Sequence, residues 1–224
     1  MNHSGRVTSP AQFIPEVLMR TLASLLLAIG LATVAPAHAT SLASLTVDQM
    51  TDAADFVVRG TVTKVWTELD AGGRVWTKAA VDVQETYKNT APGGLVVESA
   101  GGIYEDVITE VAHAARYSVG EEVVLFVSEK SPGRYGTVAM YGGKYTVRVN
   151  PADGSDMVVH FSVPYAQTYD ARFIPHPALG SRVSADSLVA QVRARAALGW
   201  DGQPIPGANP DHLRAINKLQ TGVK

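Results

Sequence analysis

The sequence predicts a mainly β protein: a small barrel, closed or partly open, with a short N-terminal helix and a C-terminal helix. Three observations carry this prediction: short apolar runs that alternate with period two, glycine-containing turns between them, and few helical patterns. The chain of 224 residues is 46% hydrophobic and 18% charged, which is a globular composition. At that length it can bury a core without disulfides.

Composition also excludes several classes of function. Cysteine is absent, so disulfides, thiolate metal sites and cysteine nucleophiles are excluded together. The formal net charge of −2 provides no positive field for nucleic acid or for an anionic membrane. We therefore expect no nucleic-acid partner.

An export signal is predicted at the start of the chain. Arg20 supplies the positive charge, 22–34 is an apolar run, and 37–39 (Ala-His-Ala) fits the small-x-small cleavage rule. The alternative, a transmembrane anchor, requires about 20 apolar residues. We expect a signal peptide over 1–39, of which 1–18 resemble an over-long start before Met19. The exported chain then begins at Thr40, in the periplasm or outside the cell, without a membrane span.

The first elements of the exported chain follow from local patterns. Thr46 and Gln49 have the spacing of a capping box, which predicts a short helix over 46–54. Apolar residues then alternate in two strands that form a long hairpin over 55–88, with a four-residue loop at 70–73. Both apolar faces coincide if Val62 pairs with Val81 and Gly60 with Val83, because a slip of one residue would expose one of them.

The sequence predicts further strands in the middle of the chain, on both sides of an irregular connection. We expect a third strand at 95–99, irregular chain over 100–119, and strands at 135–139, 144–149 and 157–163. The run 123–127 is apolar at every position, which predicts a central strand covered on both faces.

Helical patterns return near the C-terminus. Ser184 can cap a helix over 185–198 that stops at Gly199 and covers the barrel or the 123–127 strand. Residues 200–210 contain three prolines and two glycines, so they are predicted to be a linker, and Asn209 and Pro210 then start a short helix. The predicted organisation is one β-barrel domain over 40–199, followed by linker and helix over 200–224.

This arrangement resembles a known fold. A long bent hairpin, a third strand, an irregular connection and later strands suit an OB-like barrel, and Gly60 lies mid-strand, where a strongly coiled strand needs a residue without a side chain. The opening DFVVRGTV at 55–62, with VDV at 81–83 and VGEEVVLF at 119–126, resembles netrin-like modules and uncharacterised exported bacterial proteins with the same opening. The resemblance covers about 55–127.

The resemblance implies a possible activity as well as a fold. Netrin-like modules include the tissue inhibitors of metalloproteinases, in which an N-terminal cysteine presents its amino and carbonyl groups to the protease zinc. Here Thr40 stands at the expected N-terminus, and no cysteine is present to hold it. The resemblance therefore supports the fold more than the inhibitory activity.

The sequence contains no complete catalytic motif. His-Glu-x-x-His and Gly-x-Ser-x-Gly are absent, and no cofactor motif is complete. Glu110 and His113 are weak candidates for a metal site, and a solvated acidic loop is the alternative for that segment. The remaining candidates are aromatic residues near strand ends and turns, which either form a recognition patch or shield the barrel ends. They are Trp66, Trp76, Tyr104, Tyr117 and Tyr141.

Three functions are compatible with these observations. The leading hypothesis is an exported, non-catalytic binding module whose partner is another exported protein. The second is a netrin-like inhibitor of an exported zinc protease, acting through Thr40 and the 70–73 and 100–119 loops. The third is a metal-dependent hydrolase that uses Glu110 and His113.

Overall fold

A computed structural model describes residues 45–160, 168–169, 175–176 and 181–221, and it is mainly β with helices near both ends of the described chain. The expected signal peptide and Thr40 lie outside these residues. The helices are α1 (Val47–Ala53), α2 (Ala185–Leu198) and α3 (Pro210–Thr221). The strands are β1 (Phe56–Leu69), β2 (Val75–Lys88), β3 (Val96–Ala100), β4 (Gly102–Tyr104), β5 (Val107–Thr109), β6 (Glu122–Ser131), β7 (Arg134–Thr137), β8 (Lys144–Val149), β9 (Asp156–His160), β10 (Thr168–Tyr169), β11 (Pro175–His176) and β12 (Ser181–Ser184). Within the described chain, no helix combines the length and apolar character needed to cross a bilayer.

The predicted capping box forms at the start of α1. Gln49 N donates to Thr46 Oγ1 over 3.2 Å, and Thr46 N donates to Gln49 Oε1 over 3.0 Å. Two backbone N–H groups that the helix leaves without partners are thereby satisfied. This confirms the helix predicted from the Thr46 and Gln49 spacing.

The long hairpin of β1 and β2 has the predicted register. Gly60 lies opposite Val83 and Val62 opposite Val81, so the apolar sides of both strands face the same way. The connecting loop spans 70–74, one residue longer than predicted, because Asp70 Oδ1 accepts hydrogen bonds from Gly72 N and Arg74 N at 2.8 and 3.0 Å.

The main sheet closes into a ring of hydrogen-bonded strands. Its order is β1-β2-β3-β7-β6, and β6 pairs back onto β1 through partners such as Val58 and Leu125. The pair β3–β7 is parallel, with Val97 opposite Tyr135, and the other pairs in the ring are antiparallel. Beyond the ring, β8, β9 and β12 extend the sheet from β6.

Strand β6 separates two hydrophobic cores. Val123, Leu125 and Val127 belong to one cluster with the apolar side of the β1–β2 hairpin. Val124 and Phe126 belong to a second cluster that includes residues of all three described helices. The run 123–127 is therefore buried on both faces, as its uninterrupted apolar pattern predicts.

The C-terminal helices form where the caps predict them. Ser187 N donates to Ser184 Oγ over 3.4 Å at the start of α2, and Gly199 ends the helix with a φ of 72°. Asp211 N donates to Asn209 Oδ1 over 2.9 Å, and α3 begins at Pro210. Among the residues between these helices, Ile205 is buried in the second cluster.

Charged groups are buried where the helices meet the sheet. Asp52 of α1 accepts hydrogen bonds from Arg195 Nε at 3.0 Å and Arg195 Nη2 at 2.6 Å. Burial raises the pKa of Asp52, and the Arg195 hydrogen bonds oppose that shift. Lys88 Nζ donates to the carbonyls of Thr51 and Ala54, over 2.6 and 2.7 Å, at the end of α1. Burial lowers the pKa of Lys88 to about 8. These contacts fix α1 to α2 and to β2.

The burial of Tyr145 leads us to expect that the protein loses stability at alkaline pH. Burial raises the pKa of Tyr145 to about 12, whereas an unfolded tyrosine titrates near pH 10. Tyr145 therefore contributes its full share of stability below about pH 10, and that share is lost as the pH rises toward about 12, because the unfolded chain releases its proton first. The loss is about 2–3 kcal/mol. Urea unfolding between pH 9 and 11.5 should show a smaller decline for Tyr145→Phe than for the unchanged chain, and parallel curves would contradict the prediction.

Candidate functional site

The segment predicted to be irregular over 100–119 contains a small hairpin. Strands β4 and β5 pair in antiparallel register, with Ile103 opposite Ile108. Gly101 leads into the hairpin with a φ of 85°, and a Cβ added to it would lie 2.5 Å from Thr109 O. Only glycine combines this left-handed backbone with so close an approach. The chain therefore turns sharply at Gly101 and folds back on itself.

Two threonines fix the small β4–β5 hairpin to the long hairpin of β1 and β2, which we call the β1–β2 ribbon. Thr67 Oγ1 donates to Ile103 O over 2.6 Å, and Thr77 Oγ1 donates to Gly101 O over 2.7 Å. The backbone adds a third contact, since Gly101 N donates to Val75 O over 2.9 Å. The hairpin is thus held to the end of the ribbon through β4, while β5 lies on its outer side.

Large aliphatic side chains are exposed on this hairpin. Ile103 is 62% exposed, Ile108 68% and Val107 54%, and Val111 just beyond β5 is 37% exposed. A cavity of about 280 Å³ has Ile103, Ile108 and Val111 in its wall, whereas Val107, next to Ile108 in β5, lies on the opposite face of the hairpin. The rest of its wall is formed mainly by small residues, which include Ala100, Gly101, Gly102, Ala114 and Ala115. We call Ile103, Ile108, Val111 and the cavity the hairpin site.

Carboxylates surround the hairpin site. Glu105 and Asp106 are exposed at the tip of the hairpin, and Glu110 follows β5. Glu110 Oε1 lies 3.6 Å from Arg116 Nη2, and both side chains are mostly exposed. A solvent-exposed pair at this distance contributes little to stability. The site therefore combines apolar walls with an acidic rim.

The two tyrosines predicted to bracket this segment differ in environment. Tyr104 is half-buried at the end of β4. Tyr117 is only 8% exposed and packs in the core inside the ring. Lys144 Nζ lies 5.5 Å from the centre of the Tyr117 ring, and burial raises the pKa of the Tyr117 hydroxyl. The side chain of Tyr117 therefore packs inside the molecule.

Trp66 and Trp76 share the outer face of the β1–β2 ribbon. In register, Trp66 lies opposite Lys78 and Trp76 opposite Glu68. The indole N–H of Trp66 donates to Glu68 Oε1 over 2.6 Å, and that of Trp76 donates to Asp70 Oδ2 over 3.0 Å.

Charges on this face are paired with one another. Lys78 Nζ lies 2.7 Å from Glu68 Oε2, and this hydrogen bond raises the pKa of Lys78 and lowers the pKa of Glu68. The Arg134 guanidinium lies 4.9 Å from the centre of the Trp76 ring and forms an ion pair with Glu98. The polar groups of this face thus already have partners within the chain.

Tyr141 and His113 come together, although they are far apart in sequence. Their ring centres lie 5.7 Å apart, and the His160 ring stacks on Tyr141 at 5.6 Å. His160 Nε2 donates to Gly142 O over 3.1 Å, and burial lowers the pKa of His160. Ala139 and Met140, just before Tyr141, have left-handed φ values of 50° and 55°.

The two weak metal candidates have different partners in the structure. Glu110 lies beside Arg116, whereas His113 stacks on Tyr141. Within the described ranges, no group of three or more histidine, cysteine, aspartate or glutamate side chains is arranged to hold a metal ion.

Sequence reasoning missed the aliphatic residues of the hairpin site, although Ile103, Ile108 and Val111 were visible as apolar residues in an otherwise polar segment. Sequence patterns identify apolar residues that alternate because one face of a strand is buried. These residues are exposed, so they do not follow such a pattern. Comparison with known proteins adds no assignment: no protein-family model matches the chain, and a search of curated proteins finds no match.

Proposed function

We propose that this chain is an exported interaction module that binds another protein through the hairpin site and catalyses no reaction. The observation that carries the proposal is the exposure of Ile103 and Ile108, which lie opposite each other in the hairpin and line a cavity. Contiguous exposed apolar side chains with a polar rim are typical of protein-interaction sites. Covering one such isoleucine contributes about 1.5–3 kcal/mol of binding free energy at most.

We also propose that the ring is an OB-type barrel of the netrin-like kind. Five strands form the ring, one of its pairs is parallel, and its first two strands make a long ribbon. A small five-stranded barrel of this kind leaves its loops available for ligands. The hairpin site lies in the connection between β3 and β6, which is one such loop.

The groups around the hairpin site favour binding over catalysis. Glu110 is beside Arg116, and the Thr77 hydroxyl donates to a backbone carbonyl, so neither forms a nucleophile–base pair. Among the residues described around the cavity, the polar ones are Thr77, Thr109, Glu110, Arg116 and Tyr117. Of these, Glu110 and Arg116 are exposed and can orient a partner at the edge of the apolar patch.

The test is capture of partners from the exported fraction of the native cell by the purified 40–224 chain. Ile108→Ser should lower recovery of the captured protein about fivefold to thirtyfold, since covering the exposed part of the Ile108 side chain contributes about 1–2 kcal/mol to an interface. Val149→Ser is the matched control, because Val149 is 66% exposed on β8, outside the hairpin site. Quantitative mass spectrometry measures recovery. Equal recovery with both variants would contradict the proposal.

A further inference from the structure

The dimensions of the hairpin site limit what can occupy it. The cavity measures about 280 Å³, which is at the small end of the range for ligand pockets, about 300–1,000 Å³. Its wall consists mostly of glycine, alanine, isoleucine and valine atoms. A single large apolar side chain fits this volume and this lining. The exposed surfaces of Ile103 and Ile108 then contact the partner residues on either side of that apolar side chain.

Charge further restricts the occupant. Glu110 and Arg116 line the cavity, and Glu105 and Asp106 are exposed at the tip of the same hairpin, so these four side chains have a formal charge of −2. A partner with lysine or arginine beside its apolar side chain meets an attractive rim, and an acidic partner meets a repulsive one.

We propose that the hairpin site binds a contiguous protein segment in which a large aliphatic or aromatic side chain is flanked by lysine or arginine. This inference rests on the proposed function and names its partner chemistry. A second copy of this chain, joined hairpin to hairpin, would bring Glu105 and Asp106 of both copies together. Like charges at that contact disfavour self-association.

The experiment uses a library of random twelve-residue peptides selected against the 40–224 chain. We expect enrichment of peptides with leucine, isoleucine, phenylalanine or tryptophan within two positions of lysine or arginine. The most enriched peptide is then synthesised with a fluorescent label, and its affinity is measured by anisotropy at 50 and 300 mM NaCl. Affinity should fall with salt, because rim charges are screened.

Variants separate the apolar contribution from the charged one. Ile108→Ser should weaken the labelled peptide about fivefold to thirtyfold at both salt concentrations. Asp106→Lys should weaken it about threefold to tenfold at 50 mM NaCl and less at 300 mM, since Asp106 is exposed at the hairpin tip. Val149→Ser, at an exposed position on β8, should leave the affinity unchanged.

The outcomes distinguish this inference from the proposed function. Enriched peptides that are acidic or uncharged, but still depend on Ile108, would overturn the partner chemistry and leave hairpin binding intact. Affinity that is insensitive to Ile108→Ser, or no enrichment at all, would overturn the inference. If sedimentation shows a dimer that Ile108→Ser converts to monomer, the occupant is a second copy of the chain. If the chain binds phosphatidylglycerol vesicles and Ile108→Ser abolishes this binding, the occupant is a membrane. Either result overturns the inference.

Discussion

Gly60→Ala is expected to destabilise the fold by about 3 kcal/mol. A Cβ at Gly60 would lie 2.4 Å from Asp82 O and 3.1 Å from Asp82 C, which are backbone atoms of the neighbouring strand. Because Gly60 also pairs with Val123 on its other side, β1 cannot move away from β2 without disturbing its pairing with β6. One added methyl group therefore strains the pairing of β1 with β2 and its pairing with β6.

Gly93→Ala is the matched control for this change. Gly93 does not have a left-handed backbone, and a Cβ there would meet no atom within 4 Å. Both substitutions reduce the freedom of the unfolded chain equally, so Gly93→Ala should stabilise by about 0.4–1 kcal/mol. Urea unfolding followed by fluorescence gives both values. If Gly60→Ala were as stable as Gly93→Ala, β1 and β2 would not approach as closely as described.

Arg195→Met is expected to cost about 3 kcal/mol, because it leaves the buried Asp52 carboxylate without its cation. The Asp52 side chain is 5% exposed and that of Arg195 15%, so solvent replaces little of the lost interaction. Burial raises the pKa of Asp52 even with Arg195 present. In Arg195→Met the carboxyl will take up a proton more readily, so the cost should be smaller at pH 4 than at pH 7.

Two further variants isolate the role of this pair. Asp52→Leu combined with Arg195→Met should be more stable than Arg195→Met alone, since the buried carboxylate that lost its guanidinium is removed as well, and Lys88 keeps its hydrogen bonds to the carbonyls of Thr51 and Ala54. Arg214→Met removes an arginine whose pair with Asp211 is exposed, with side chains 62% and 87% accessible, and should change stability by less than about 0.5 kcal/mol. Thermal and urea unfolding measure all three. A double variant less stable than Arg195→Met would contradict the assignment.

Local patterns predicted much of this fold because each rests on a short-range rule. Period two determined the pairing of Val62 with Val81, since any odd slip exposes an apolar side. The hydroxyl and amide of Thr46 and Gln49 predicted the start of α1, and Ser184 predicted that of α2. The uninterrupted apolar run of β6 predicted cover on both faces, and α2 supplies part of it through Leu188 and Val192, which are buried in the second core.

Other features depend on contacts that local patterns do not encode. The parallel pairing of β3 with β7 joins Val97 to Tyr135 across a long stretch of chain, and it completes the ring. Strands β4 and β5 have three residues each, too short to display a period. The partners of Glu110 and His113 also depend on folding, because Tyr141 reaches His113 only after the chain has turned back through β6 and β7.

The sharing of β6 by both cores has a consequence for how the molecule comes apart. Strand β6 closes the ring through its contact with β1, and Phe126 on its other face packs in the cluster formed with the helices. Opening the ring exposes Leu125 and Val127, and releasing the helices exposes Phe126 on the other face of the same strand. Because both layers share this strand, we expect the ring and the helices to unfold as one cooperative unit.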